Sequence, residues 1–256
     1  MDKLNKGRTG MHGLYRDGLA LALLLGMTVI VFWRLALTNL IIGRGDILFY
    51  FYPYRDFAST AARAGRIPLW NSCLFMGVPL MANSQAGFFY PLNLALAGLP
   101  VARMVNVSIV LHAALAAVGA CVWGRGGLVL SRPAAWLVGL CYGLGGYFVA
   151  QVEHLNQVQC LAWLPWLLWL YDVRSRWRVP GMAAIIALQF LAGHTQSVFI
   201  SLVGLGSYAV FPALWRMMGR AGTWRDGVRP LLVVAVAAAW GGALAAVQLL
   251  PTFELS

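Results

Sequence analysis

Residues 45–57 read GDILFYFYPYRDF, residues 65–71 read GRIPLWN, and residues 77–93 read GVPLMANSQAGFFYPLN. From Asp46 to Asn93 the chain is too polar and too rich in Gly and Pro to cross a bilayer, yet too aromatic for a passive linker. One long apolar segment precedes this stretch and a series of further apolar segments follows it. A long ordered connection of this kind usually carries function on a scaffold built by its neighbours. The flanking segments then read as membrane helices, and the expected class is an all-α polytopic membrane protein with a large first outer loop.

Composition points the same way. The 256 residues are 61% hydrophobic and only 11% charged, with a mean hydropathy of +0.73. Soluble domains carry about a quarter charged residues. The net charge of +11 invites a nucleic-acid reading, but the basic residues are scattered among short loops, as in membrane proteins generally. Nucleic acid is therefore excluded, and the bilayer's anionic headgroups are the expected partners of that charge. Cys121, Cys141 and Cys160 lie in apolar segments as small packing residues, and Cys73 stands alone in the loop, so no disulfide framework is implied. The basic stretch Lys3, Lys6, Arg8, Arg16 before an apolar run resembles a secretory signal, but the run is long and lacks a cleavage pattern. It reads as an uncleaved first span.

Hydropathy predicts seven spans, at about Gly18–Ile42, Val101–Gly124, Pro133–Ala150, Gln157–Tyr171, Gly181–Gly193, Ser197–Trp215 and Pro230–Leu250. The organisation is a basic tail at 1–17 and a single transmembrane module at 18–256, with its outer loop at 43–100. With the N-terminus in the cytoplasm, most of the 19 basic residues fall inside, including Arg125, Arg132, Arg174, Arg176, Arg178, Arg220, Arg225 and Arg229. The loop then lies on the outer face of the membrane. Asp46, Asp56, Glu153, His154, His194, Gln196 and Glu254 all fall on that face, although they come from distant parts of the chain. The fourth and fifth spans are short against a hydrocarbon core of about 30 Å, so the hairpins carrying Glu153, His154 and His194 are expected to be recessed around a cavity roofed by the loop. Gly139 and Gly143, and Gly241 and Gly242, are expected at close helix contacts.

Several short motifs together resemble the bacterial YfhO-type membrane proteins. They are Gly45-Asp46, Tyr52-Pro53-Tyr54-Arg55, Gly65-Arg66-Ile67-Pro68-Leu69-Trp70-Asn71, Gly77-Val78-Pro79, Asn83-Ser84-Gln85, Tyr90-Pro91-Leu92-Asn93, Gly193-His194-Thr195-Gln196 and Gln248-Leu249-Leu250-Pro251-Thr252. The likeness runs from about residue 18 to the C-terminus. That family in turn resembles the C-type glycosyltransferases, which use polyprenyl-phosphate sugars on the outer face and share a seven-span module with a catalytic acid in the first outer loop. The resemblance implies that Asp46 is that acid, and that the acceptor is a cell-envelope polymer or glycolipid. Members of the family are longer, so the chain is expected to correspond to their N-terminal seven-span part.

The chemistry needs a base for the acceptor hydroxyl, a cation or donor for the leaving phosphate, and an apolar groove for the prenyl tail. Asp46 is the candidate base, against a plain loop carboxylate paired with Arg44 or capping a helix. Arg55 is a candidate phosphate fork, against headgroup contact. Tyr52 and Trp70 stand between sugar stacking and an interfacial aromatic belt. Asn71 and Gln85 stand between sugar hydroxyls and loop backbone. Glu153, His154, His194 and Gln196 are candidates for substrate binding, with His194 donating to the donor phosphate, against polar hairpins or a histidine bridging helices. Asp46, Glu153, His154 and His194 also leave a divalent cation open, although their spacing is not diagnostic. Asp56 reads as a solvated face of an amphipathic segment at 47–64, and His112 as a packed, hydrogen-bonded histidine. Two competing functions remain at this level: a lipid-linked sugar transporter or flippase, and a non-catalytic membrane fragment. The absence of an internal repeat favours one-sided chemistry over transport.

Overall fold

A computed structural model describes residues 2–173, 175–218 and 224–255. Arg174 and Arg220, counted above to the inner side, lie outside the described residues. Regular structure among the described residues is helical apart from one isolated antiparallel bridge, Asn71 with Val78. The helices are α1 (Asp2–Val31), α2 (Trp33–Leu37), α3 (Tyr52–Arg63), α4 (Pro91–Leu96), α5 (Val101–Gly126), α6 (Arg132–Gly143), α7 (Gly146–Ala150), α8 (Leu155–Leu161), α9 (Leu164–Asp172), α10 (Arg178–Ala192), α11 (Thr195–Met218), α12 (Trp224–Leu244) and α13 (Ala246–Glu254). From Asp2 onward, the segment expected as a tail forms the first turns of α1.

Three helical stretches are long and apolar enough to cross a membrane: Val101–Gly126, Arg132–Glu153 and Thr195–Pro212. A fourth is gained if the pair Val228–Leu244 and Ala246–Glu254, bent by 78°, counts as one. At 1.5 Å per residue the 26 residues of α5 reach about 39 Å, beyond the apolar thickness of about 30 Å. Four of the seven expected spans depart from single long helices. The first stops at Val31, where Phe32 breaks it; α2 follows, and the backbone is extended at its C-cap Thr38. The third is interrupted between α6 and α7. The fourth breaks between α8 and α9, just before Pro165, and the seventh turns sharply at Ala245. Hydropathy sums over such breaks because the residues at them are themselves apolar. The fifth, α10, is indeed short, with 15 residues.

Prolines in the first turn pre-set the entry of α3, α4, α6 and α9, where a missing N–H costs nothing. The central packing is α5 against α6, where Gly139 and Gly143 bring the backbone against Ala117. On the other side α10 packs on α12 through Gly241, which abuts Ala183 O and Ile186. Gly242 faces open space and takes no part in that contact. One apolar core gathers Ile47, Phe51, Val105, Ile109, Phe148, Leu155 and Val158, so the start of the loop is built into the bundle. A second joins Leu167, Met182, Ile186, Leu205, Val234 and Ala237.

The loop at 43–100 is folded in its own right. Tyr54, Leu80 and Ala86 form one small core, and Ala58, Met81 and Phe88 another. The buried Asn71 closes a tight hairpin: its backbone pairs with Val78, and its Oδ1 accepts from Cys73 N–H at 2.9 Å. Arg103 of α5 donates to the carbonyls of Leu35, Ala36 and Thr38, which closes the C-terminal end of α2. Gln248 of α13 donates to Met81 O at 2.8 Å, so the bend at Ala245 lets the end of the chain hold the loop.

Candidate functional site

Beneath the loop lies a buried polar network. Arg55 is 1% exposed and donates to Ala86 O at 2.6 Å, to Gly87 O at 3.1 Å and to Gln159 Oε1 at 3.3 Å. Gln159 in turn donates to Asn93 Oδ1 at 2.8 Å and Ser108 Oγ at 2.9 Å, and Asn93 donates to Gly87 O at 2.8 Å. Alongside it, Trp163 donates to the Tyr90 hydroxyl at 2.7 Å, and that hydroxyl bonds His112 Nε2 at 2.7 Å. His112 is thus the packed, hydrogen-bonded histidine its apolar surroundings imply.

Arg55 requires a correction. Expected at the donor phosphate, it lies in the interior with backbone carbonyls and an amide as partners. Burial pushes its guanidinium down to about 10, so it stays charged at neutral pH. Its role is to tie the 84–93 segment to α8. Asn71 is likewise committed to its hairpin, and Tyr52 is half-buried against the apolar core that holds Ile47 and Phe51. Trp70 is exposed, with its indole over Gly77, and Asp56 is exposed on α3.

The remaining candidates meet at an open face. Arg44 Nη2 contacts Glu153 Oε1 at 2.9 Å. The next residue, Gly45, has φ +53, and a Cβ there would collide with Glu153 Oε2. Only glycine combines that left-handed backbone with so close an approach. The turn aims Asp46 at the neighbouring hairpin, where its Oδ2 lies 3.7 Å from His154 Nε2. Asp46 makes no side-chain cap, and Arg44 pairs with Glu153 instead.

His194 joins from the α10–α11 hairpin. Gly193 there has φ +89 and ends α10, and a Cβ on it would collide with Ser84 O. Asn156 holds the same Gly193 through its carbonyl at 3.2 Å. The hairpin is therefore seated between the loop at Ser84–Gln85 and α8. His194 Nδ1 accepts from Ser197 N–H at 3.1 Å and lies 2.7 Å from Ser197 Oγ. Accepting the backbone proton requires a bare Nδ1, which places the ring proton on Nε2. Burial, and then the charge of nearby His154, hold the imidazole below its ordinary range, consistent with a neutral ring. Gln85 and Gln196 are exposed on the flanks of this hairpin.

Arg44 and Ser197 escaped the sequence reading. The signal for Ser197 was present: a serine three residues after a histidine at a helix start. Among the described residues no group of three His, Cys, Asp or Glu side chains is arranged to hold a metal. The face thus offers a carboxylate acceptor at Asp46, an exposed cation at Arg44, and two imidazoles. No protein-family model, no curated protein and no solved structure matches this chain. The likeness to the YfhO-type proteins rests on the sequence motifs alone.

Proposed function

We propose that this chain is the seven-span module of a C-type membrane glycosyltransferase of the YfhO type, in a bacterial cytoplasmic membrane with its N-terminus inside. It transfers a sugar from a polyprenyl phosphate to an envelope polymer or glycolipid on the outer face. The observation that carries this reading is the convergence of Arg44, Asp46, Glu153, His154 and His194, from three separate connections, around the loop that bears the family-like motifs.

In the proposed step the acceptor hydroxyl oxygen attacks the anomeric carbon and gives its proton to Asp46. The new C–O bond forms as the bond from that carbon to the phosphate oxygen breaks, with inversion. The lipid phosphate leaves with the electron pair. His194, with its proton on Nε2, and the exposed Arg44 guanidinium supply a donor and a charge for that phosphate. Glu153 holds Arg44 in place, and His154 holds Asp46.

The test is donor binding and turnover in the purified, reconstituted chain. A polyprenyl-phosphate sugar raises the unfolding temperature of wild type, because a ligand bound only to the folded state stabilises it. Asp46→Asn keeps that shift but loses sugar release, whereas His194→Ala loses most of the shift. A folded wild type that neither binds the donor nor releases its sugar refutes the transferase reading.

A further inference from the structure

At the opposite end of the bundle, the middle of α1 (Asp17, Ala20 and Leu21) meets the last turns of α5 and the first turn of α6 around a cavity of about 230 Å³. Arg125 and Arg132 line it, with Asp17 between them: Arg132 Nε lies 2.6 Å from Asp17 Oδ1, and Arg125 Nε lies 3.8 Å from the same oxygen. The latter separation is too long for a hydrogen bond. Arg125 Nη1 is spent on Leu130 O, while its buried Nε has no hydrogen-bond partner. Two guanidinium groups flank the Asp17 carboxylate, and Arg125 Nε is a donor in want of an acceptor. One helical turn deeper the lining becomes apolar, with Leu21 on α1 and Val122 on α5, and Trp169 closes the side. The cavity is charged at its mouth and greasy at its base.

We propose that this cavity seats the phosphate-bearing headgroup of an anionic glycerophospholipid of the inner leaflet. The volume is below the roughly 300 Å³ of a pocket for a whole drug-sized ligand, so it takes the headgroup alone. The acyl chains run along the exposed apolar face of α1 at Leu19 and Leu23. A basic recess between membrane helices at the cytoplasmic end is a physical match for such a headgroup. The apolar base argues for a lipid over a free anion. This site rests on the membrane placement and inner orientation of the chain, and not on the transferase chemistry.

The experiment reconstitutes the chain in phosphatidylcholine bilayers with increasing phosphatidylglycerol and follows the unfolding midpoint, each variant against its own phosphatidylcholine baseline. Wild type shows a saturable rise. Arg125→Gln raises the half-saturating phosphatidylglycerol fraction about 5-fold, the equivalent of one basic contact. Asp17→Asn, which removes the competing carboxylate, lowers it. Arg176→Gln, an exposed arginine stacked on Trp177 away from the cavity, leaves it unchanged. A loss in Arg176→Gln equal to that in Arg125→Gln means diffuse surface attraction and overturns the proposal. So does an unchanged half-saturation in both Arg125→Gln and Asp17→Asn, or an equal rise produced by inorganic phosphate without phosphatidylglycerol. A chain that fails to insert overturns the membrane placement and this site with it, whereas a normal lipid response without sugar transfer refutes the transferase reading alone.

Discussion

Replacing Gln159 by Leu removes the amide that connects the loop to the bundle while nearly preserving side-chain volume. Three hydrogen bonds vanish: the one accepted from Arg55 at 3.3 Å, and those donated to Asn93 at 2.8 Å and Ser108 at 2.9 Å. A bond to a charged group contributes about 1.5–3 kcal/mol and a neutral one about 0.5–1.5 kcal/mol. The Arg55 contact is long and belongs at the low end. Ser108 Oγ keeps a contact to His112 Nδ1 at 3.3 Å, so it is not stranded. Asn93 Oδ1 loses its partner, and Arg55, already carrying an unpartnered buried Nε, loses its only side-chain acceptor. The sum is a loss of about 3 kcal/mol, concentrated on the attachment of the loop. Equilibrium unfolding in mixed micelles measures the stability, and proteolysis within residues 64–82 reports whether the loop detaches first. A change below about 1 kcal/mol with an unaltered cleavage rate would falsify the view that this network anchors the loop.

Three further outcomes follow from the same geometry. Gly45→Ala strains a φ +53 backbone by about 1–2 kcal/mol and pushes Glu153 away from Arg44, so donor binding weakens more than global stability; an unchanged donor affinity would show that the turn does not position the site. The depressed imidazole of His194 means that the unfolded chain binds more protons than the folded one between the lowered value and about pH 6.5. Stability therefore falls as pH drops through that window and is flat above it, and the slope is shallower in His194→Gln than in wild type when unfolding midpoints are compared across pH. Cys73 in the loop is exposed, and so is Cys141 on α6, expected as a packing residue, while Cys121 and Cys160 are buried; in Cys141→Ala a membrane-impermeant maleimide applied to intact cells labels Cys73, and labelling only after the membrane is opened would invert the topology.

What the sequence made legible was set by the kind of signal each feature leaves. Apolar runs are long-range averages, so the helical class and the position of the loop at 43–100 were readable. The breaks at Phe32, Leu144 and Ala162 do not register in hydropathy, which carries no sense of direction, although Gly143, Gly145 and Gly146 and then Pro165 were breaker signals beside two of them. The bend at Ala245 is the costliest of these misses, since it is what carries Gln248 onto Met81 O. At the site, Asp46, Glu153, His154 and His194 were expected on one face from a count of seven spans, of which three or four are long and apolar enough among the described residues; the contacts of residues 44 and 46 with Glu153 and His154 stand apart from that count. Arg55 misled because an arginine beside tyrosines in a polar loop reads as surface. Its burial depends on Gln159, which comes 104 residues later and looks like an ordinary polar interruption of an apolar helix.

The two layers at the loop end of the bundle divide the work between them. The Arg55–Gln159–Asn93 layer is buried and, apart from Arg55 Nε, its polar groups are spent on one another and on backbone carbonyls, so it confers position. The Arg44–Glu153 pair and the 3.7 Å approach of Asp46 to His154 are open, and an exposed ion pair such as Arg44–Glu153 contributes only about 0–1 kcal/mol. Gly193 is accounted for as the left-handed cap of α10, but stability alone gives little reason to hold a left-handed glycine at 45 against Glu153. A rigid base under a weakly held, charge-bearing rim is what a site requires when its groups must trade their partners for a substrate's. The backbone is fixed at Gly45 and Gly193, and the side chains of Arg44, Asp46 and His154 stay exposed above it, as the proposed exchange of partners with a donor and an acceptor would need.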